Sequence, residues 1–85
     1  MKTFEYMIKD ELGIHARPAG LLVKAAKALD SAVKIEKDGK RADAAKLFAV
    51  MGLGVKHADT VKVTVEGGDE DASLKAMEEF FEKNL

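Results

Sequence analysis

The sequence predicts an α+β domain whose antiparallel sheet is covered on one face by helices, with elements in the order β-α-β-β-α-β-α. Three observations carry this. The stretches Thr3–Lys9, Ala32–Lys37 and Thr60–Glu66 alternate apolar and polar residues, the period of a half-buried strand. Two longer stretches, Ala16–Leu29 and the segment after Asp69, place apolar residues three or four apart, the period of an amphipathic helix. Turn-forming pairs, Asp38-Gly39 and Gly67-Gly68, separate the periodic segments.

The elements follow in chain order. In the first strand Phe4, Tyr6 and Ile8 share one side, with Glu5, Met7 and Lys9 on the other. Asp10, Glu11 and Gly13 break it, and the loop leads to a helix expected to begin near Ala16, because Pro18 has the φ of a first helical turn and loses little by lacking an N–H there. Ala16, Ala19, Leu22, Val23, Ala26 and Leu29 form its apolar stripe, Lys24 and Lys27 lie off it, and Leu29-Asp30-Ser31 ends it. Val33 and Ile35 point inward from the second strand. Asp38-Gly39 then turns the chain into a short antiparallel strand, Lys40–Ala42. Leu47, Phe48, Val50, Met51 and Leu53 make a short helix with Gly54 as its stop. That helix is too apolar for one buried face, so some of Leu47, Phe48 and Met51 are expected to stay exposed as a contact surface. Val61, Val63 and Val65 line the last strand. Asp69 caps the final helix, Glu70 and Asp71 complement its positive end, and Leu74, Met77, Phe80 and Phe81 supply its buried side.

Size and charge narrow the function classes. The 85 residues form a single domain, 1–85, with no repeat or internal linker. With 14 Lys and Arg against 15 Asp and Glu the charge is near balance, so neither nucleic acid nor an anionic membrane is expected as the partner. No cysteine is present for disulfides or thiolate metal sites, and no apolar run approaches the ~20 residues that span a bilayer. A cytoplasmic protein is expected.

The chemistry concentrates in Leu12–Gly20, L-G-I-H-A-R-P-A-G. Gly13 permits a tight turn, His15 stands at the mouth of the first helix, and Arg17 adds a guanidinium fork beside the free N–H groups of that helix end. Together they form an anion site with a nucleophile inside. Metal binding ranks lowest, since His57 is the only other histidine and no ligand spacing supports it. A general base would need a nucleophile motif that is missing, although Asp10 and Glu11 are near in sequence. A phosphoryl acceptor needs a neutral imidazole nitrogen and donors for the incoming oxygens, and this segment offers both. Spacing alone leaves that role and an ordinary loop histidine both open. His57 itself reads as a surface loop residue and the scattered lysines as a solvated face.

At these residues the chain resembles the HPr family, the histidine-containing phosphocarriers of the bacterial PEP-dependent sugar phosphotransferase system. The likeness spans the whole chain, including Asp38-Gly39-Lys40, the L-F-x-V-M-G-L-G run from Leu47 to Gly54, and the turn Glu66–Glu70. It implies an open-faced β-sandwich with a four-stranded antiparallel sheet and three helices. It further implies a carrier rather than an enzyme, without a cofactor. Such a protein takes a phosphoryl group from enzyme I onto Nδ1 of the signature histidine, here His15, with Arg17 and the Ala16 amide around it. It passes the group to EIIA domains of sugar permeases through a surface matching Leu47, Phe48 and Met51. A monomer is expected. One departure stands out: many Gram-positive relatives carry a kinase-regulated serine where this chain has Lys46, and neither Ser31 nor Ser73 matches that site. A regulatory or nitrogen-related paralogue, a small acyl-phosphate hydrolase and a pure ligand-binding module are the alternatives.

Overall fold

The computed structural model describes residues 1–85 and contains β1 (Lys2–Met7), α1 (Ala16–Lys27), β2 (Ala32–Lys37), β3 (Lys40–Asp43), α2 (Leu47–Gly52), β4 (Thr60–Glu66) and α3 (Glu70–Asn84). All strands pair antiparallel, in the spatial order β1-β4-β2-β3. The expected element order and the open, four-stranded sheet are both present.

Alternation explains the two faces of the sheet. Val33, Ile35, Ala42, Val61, Val63 and Val65 point to the helices and are buried, joined by the half-buried Phe4 and Tyr6. On the open face the register lines up Glu5, Lys62, Glu36 and Arg41 across all four strands, a row of alternating charge. Phe81 of α3 sits at the centre of the core, edge-on to Phe4 and Tyr6 with centroids 5.7 and 5.5 Å away. Its truncation to Ala would cost about 3–5 kcal/mol. The β2–β3 hairpin turns through Asp38 and Gly39, both with positive φ, which is the reason an Asp-Gly pair suits it.

The ends of β1, α1 and β3 depart from the sequence expectation, the first two for a physical reason. β1 stops at Met7 rather than Lys9, because the Lys9 and Asp10 N–H groups donate to the Leu85 backbone oxygen at the end of α3. Ile8, although fully buried, bonds to the loop residues Ala58 and Asp59 instead of a strand. α1 ends at Lys27, where the Ala28 and Leu29 N–H groups turn back to Ala25 and Ala26 and tighten the last turn. Ala16 is exposed and lies outside the α1 stripe, which comprises Ala19, Leu22 and Ala26 with Val23 and Leu29 half-buried. β3 runs one residue further than expected, to Asp43. The Asp69 cap is as expected, its carboxylate accepting the Ala72 N–H at 3.1 Å.

Sequence periodicity gave no hint of the polar pair Ser31 and Ser73. Both are buried, their hydroxyls 2.7 Å apart, and Ser31 Oγ lies 2.6 Å from the Gly67 carbonyl. They tie the end of α1 to the start of α3, where both hydroxyls find partners as burial demands.

Candidate functional site

The site is built where the loop after β1 meets the two helix ends. The chain leaves β1 held by Leu85, turns at Asp10–Gly13 through a Gly13 N–H to Asp10 carbonyl bond of 3.0 Å, and is pinned again when Ile14 donates to the Val55 carbonyl at 3.1 Å. Gly13 adopts φ +68°, a conformation glycine takes without strain. Ile14 is buried and acts as the anchor, so that the next residue is delivered to the surface in a fixed direction.

That residue is His15, the N-cap of α1. Its backbone is extended (φ −91°, ψ −176°) and its carbonyl accepts the Ala19 N–H at 2.9 Å, the first bond of the helix. Its imidazole makes no capping bond to the helix and is 38% exposed. Ala16, Arg17 and Pro18 thus occupy the first three helical positions. Neither the Ala16 nor the Arg17 N–H has an acceptor in the protein, and Pro18 has none to offer. Arg17 is exposed and makes no salt bridge, so its fork is free for an external anion.

An open depression of about 300 Å³ gathers these groups, lined by Asp10, His15, Arg17, Pro18, Leu21, Lys83 and Asn84. Lys83 and Asn84 went unnoticed in the sequence. They close α3, more than 65 positions away from His15, and the packing of α3 on β1 and α1, with the clamp of Leu85 on Lys9 and Asp10, brings them here. The basic residue in the last turn of α3 was the sole sequence signal, and it reads equally well as a dipole partner. Asp10 is the single carboxylate on the depression wall, with Oδ1 3.9 Å from His15 Nε2. Taken together, the His15 ring, the Arg17 fork and Lys83 line one solvent-open hollow next to the first turn of α1, an arrangement suited to an anion.

The expected contact surface divides. Phe48 is 84% exposed and Met51 38% exposed, while Leu47 is half-buried against the core. α2 packs beside α1, and Leu21 of α1 adds an exposed apolar side chain on the wall of the depression itself. Lys46 stands at the N-cap of α2 and makes no side-chain capping bond. Asp43 braces the approach to α2 without capping it: its Oδ1 accepts the Ala45 N–H at 2.9 Å and its carbonyl accepts the Lys46 N–H at 3.0 Å, both ahead of the helix. The Ala45 bond, helped by Lys34 and Lys46, holds the Asp43 carboxyl below its ordinary value of 3.8 against the opposing effect of burial. His57 remains exposed in the turn before β4 and is no part of the depression.

Comparison with known proteins identifies the family. The family model described as the PTS HPr component phosphorylation site matches residues 2–83. The chain is 36% identical to the phosphocarrier protein HPr of Mycoplasma genitalium over 85 residues, covering 99% of this chain and 97% of that protein. It is 40% identical to the phosphocarrier protein HPr of Lysinibacillus sphaericus over 77 residues, covering 91% and 88%. Among solved structures it is similar to the HPr-C-His protein of Thermoanaerobacter tengcongensis, with a TM-score of 0.93 at 38% identity over 99% of this chain and 94% of that one. An HPr dimer from the same organism is also similar, at a TM-score of 0.76. A family-model match over residues 2–83, with relatives 36% and 40% identical over most of their length, places this protein in the HPr family of phosphocarriers of the phosphotransferase system.

Proposed function

We propose that His15 is the phosphoryl acceptor, that phosphorylated enzyme I is the donor, and that EIIA domains of sugar permeases receive the group. The observation that carries this reading is the pairing of a solvent-open imidazole with unused donors. The His15 ring makes no capping bond, while the Ala16 and Arg17 amides and the Arg17 fork have no partner in the protein. A phosphoryl group on the ring would supply the oxygens that all of them lack.

The chain acts as a carrier. In each transfer a lone pair of the ring forms the N–P bond as the donor's bond to phosphorus breaks, with the attacking and leaving atoms roughly in line. The protein contributes position and charge stabilisation: Arg17 and the first-turn amides meet the equatorial oxygens, and the positive end of α1 favours the dianion. Phe48, Met51 and Leu21 form the apolar surround through which donor and acceptor proteins in turn dock, and the half-buried Leu47 supports that surface from beneath. We place it in the cytoplasm as a monomer, since docking on both partners requires this face to be free.

Incubation with enzyme I and PEP, followed by mass spectrometry of the intact chain and its peptides, tests the reading. One acid-labile phosphate on His15, absent from His15→Ala, is the expected result. Full labelling of that variant would overturn it, and steady turnover of an acyl phosphate with no protein partner would favour a hydrolase instead.

A further inference from the structure

Asp10 is held at the His15 ring from two directions. Its Oδ1 lies 3.9 Å from His15 Nε2 and accepts the Leu12 N–H at 2.9 Å, a local turn that fixes the side chain. Its own N–H and that of Lys9 donate to the Leu85 backbone oxygen at 2.8 and 2.6 Å, which fixes the backbone. The other groups on the depression wall that carry charge are the cations Arg17, from α1, and Lys83, from α3. Asp10 is therefore the one carboxylate side chain on that wall, and Nε2 is the ring nitrogen it approaches.

A neutral imidazole carries its proton on either nitrogen, and its surroundings decide which. With the proton on Nε2, the positive end of the N–H dipole faces Asp10. With the proton on Nδ1, the Nε2 lone pair faces the carboxylate and the two repel.

Building on the reading of His15 as acceptor, we propose that Asp10 is a positioning residue that holds the His15 ring in its Nε2–H tautomer and so leaves the Nδ1 lone pair free to attack phosphorus. The proton inventory then closes without another reactant. Nδ1 forms the bond to phosphorus while the electron pair of the breaking bond returns to the donor. Nε2 keeps its proton, and the ring becomes a cation facing Asp10. In the onward step the N–P pair returns to Nδ1 and the ring leaves neutral, already in the tautomer that accepts the next group. At 3.9 Å the Asp10 carboxylate acts on the ring through its charge and not through a direct hydrogen bond, favouring the tautomer from the side of the nitrogen that does not react.

The test uses the full chain labelled with ¹⁵N and the variant Asp10→Asn, which removes the charge and keeps an oxygen for the Leu12 N–H. In the neutral ring the ¹⁵N shifts of Nδ1 and Nε2 separate the two tautomers. The expected result is a wild-type ring predominantly protonated on Nε2, a several-fold larger Nδ1–H fraction in Asp10→Asn, an unchanged Leu12 amide shift, and several-fold slower labelling of the variant by enzyme I and PEP. A wild-type ring protonated mainly on Nδ1, or identical ring shifts in wild type and variant, would overturn the proposal. The ring measurement needs no enzyme I, so it judges Asp10 even where absent labelling of wild-type His15 would overturn the carrier reading.

Discussion

Gly13 touches the backbone of Val55 so closely that a Cβ built on it would lie 2.3 Å from the Val55 carbonyl oxygen, the same oxygen that accepts the Ile14 N–H. The loop that delivers His15 is thus seated against the segment leading to β4, and its seat has no room for a side chain. Gly13→Ala adds the strain of φ +68° to this clash. It is expected to destabilise the fold by about 2–4 kcal/mol. Urea unfolding checks that, and labelling by enzyme I and PEP should slow as well if the displaced loop carries the proposed acceptor His15. An unchanged unfolding midpoint would show that Val55 yields instead.

Arg17 should behave differently, since it is exposed and its side chain bonds to nothing in the protein. Arg17→Ala is expected to leave the unfolding midpoint within about 0.5 kcal/mol of wild type. It should lower kcat/KM for phosphoryl transfer by about ten- to a hundredfold, the worth of a charge-assisted bond formed only once phosphorus arrives. Arg17→Lys keeps the charge without the fork and should recover part of that loss. Equal rates for all three proteins would remove Arg17 from the site.

Much of this fold was legible from local pattern, and the site was legible only on one side. Strand alternation located Ala32–Lys37 and Thr60–Glu66 to the residue, because a sheet with one buried face forces a two-residue period. The Asp69 cap and the Asp38-Gly39 turn followed from chemistry confined to a few residues. What failed was everything set by tertiary contact. β1 stops early because Leu85 takes its amides, and Lys83 and Asn84 reach His15 through that same clamp and the packing of α3 on β1 and α1. Ser31 and Ser73 are buried against the expectation for serine, since each finds the other. The carboxylate of Asp10 was near in the sequence, but its position on the Nε2 side of the ring is a product of the loop's shape.

α2 separates binding from stability between neighbours. Phe48 is almost fully exposed, whereas Leu47 packs on the core. Phe48→Ala is expected to weaken binding to enzyme I by about 1–2 kcal/mol with no change in unfolding. Leu47→Ala should cost about 1–2 kcal/mol of stability, part of a full core truncation. Isothermal titration and urea unfolding on both variants read the two effects. A loss of stability in Phe48→Ala, with affinity intact, would show that this ring serves the fold.

Lys46 bears on regulation. It offers no hydroxyl, and its place at the N-cap of α2 is filled without any side-chain bond. The protein is therefore expected to take no phosphate from ATP and an HPr serine kinase at or near position 46, as intact mass would read. Lys46→Ser should gain about 0.5–1 kcal/mol from a cap that lysine cannot form. A kinase-dependent gain of phosphate in the wild type near that position would contradict the first expectation, and an unchanged midpoint in Lys46→Ser the second.

Acid should weaken the fold through Asp43 and Asp59. Lys37 Nζ lies 2.9 Å from Asp59 Oδ2, which also accepts the Lys56 N–H at 2.8 Å, and these two bonds hold the Asp59 carboxyl below its ordinary value of 3.8. Asp43 is lowered likewise, first by the Ala45 N–H. For such carboxyls the unfolded chain binds protons before the folded one does. Their stabilisation is complete above the unfolded value and is lost as pH falls from near 3.8 through the lower folded values. Urea midpoints measured from pH 6 down to pH 2 should therefore drop across that window. Lys37→Gln removes the leading cause of the Asp59 shift, so its midpoint should start lower at pH 6 and fall less steeply on acidification. Because the pair is solvent-accessible, the difference should shrink in high salt. Acid limbs that superimpose for Lys37→Gln and wild type would show that the ion pair contributes nothing to the linkage.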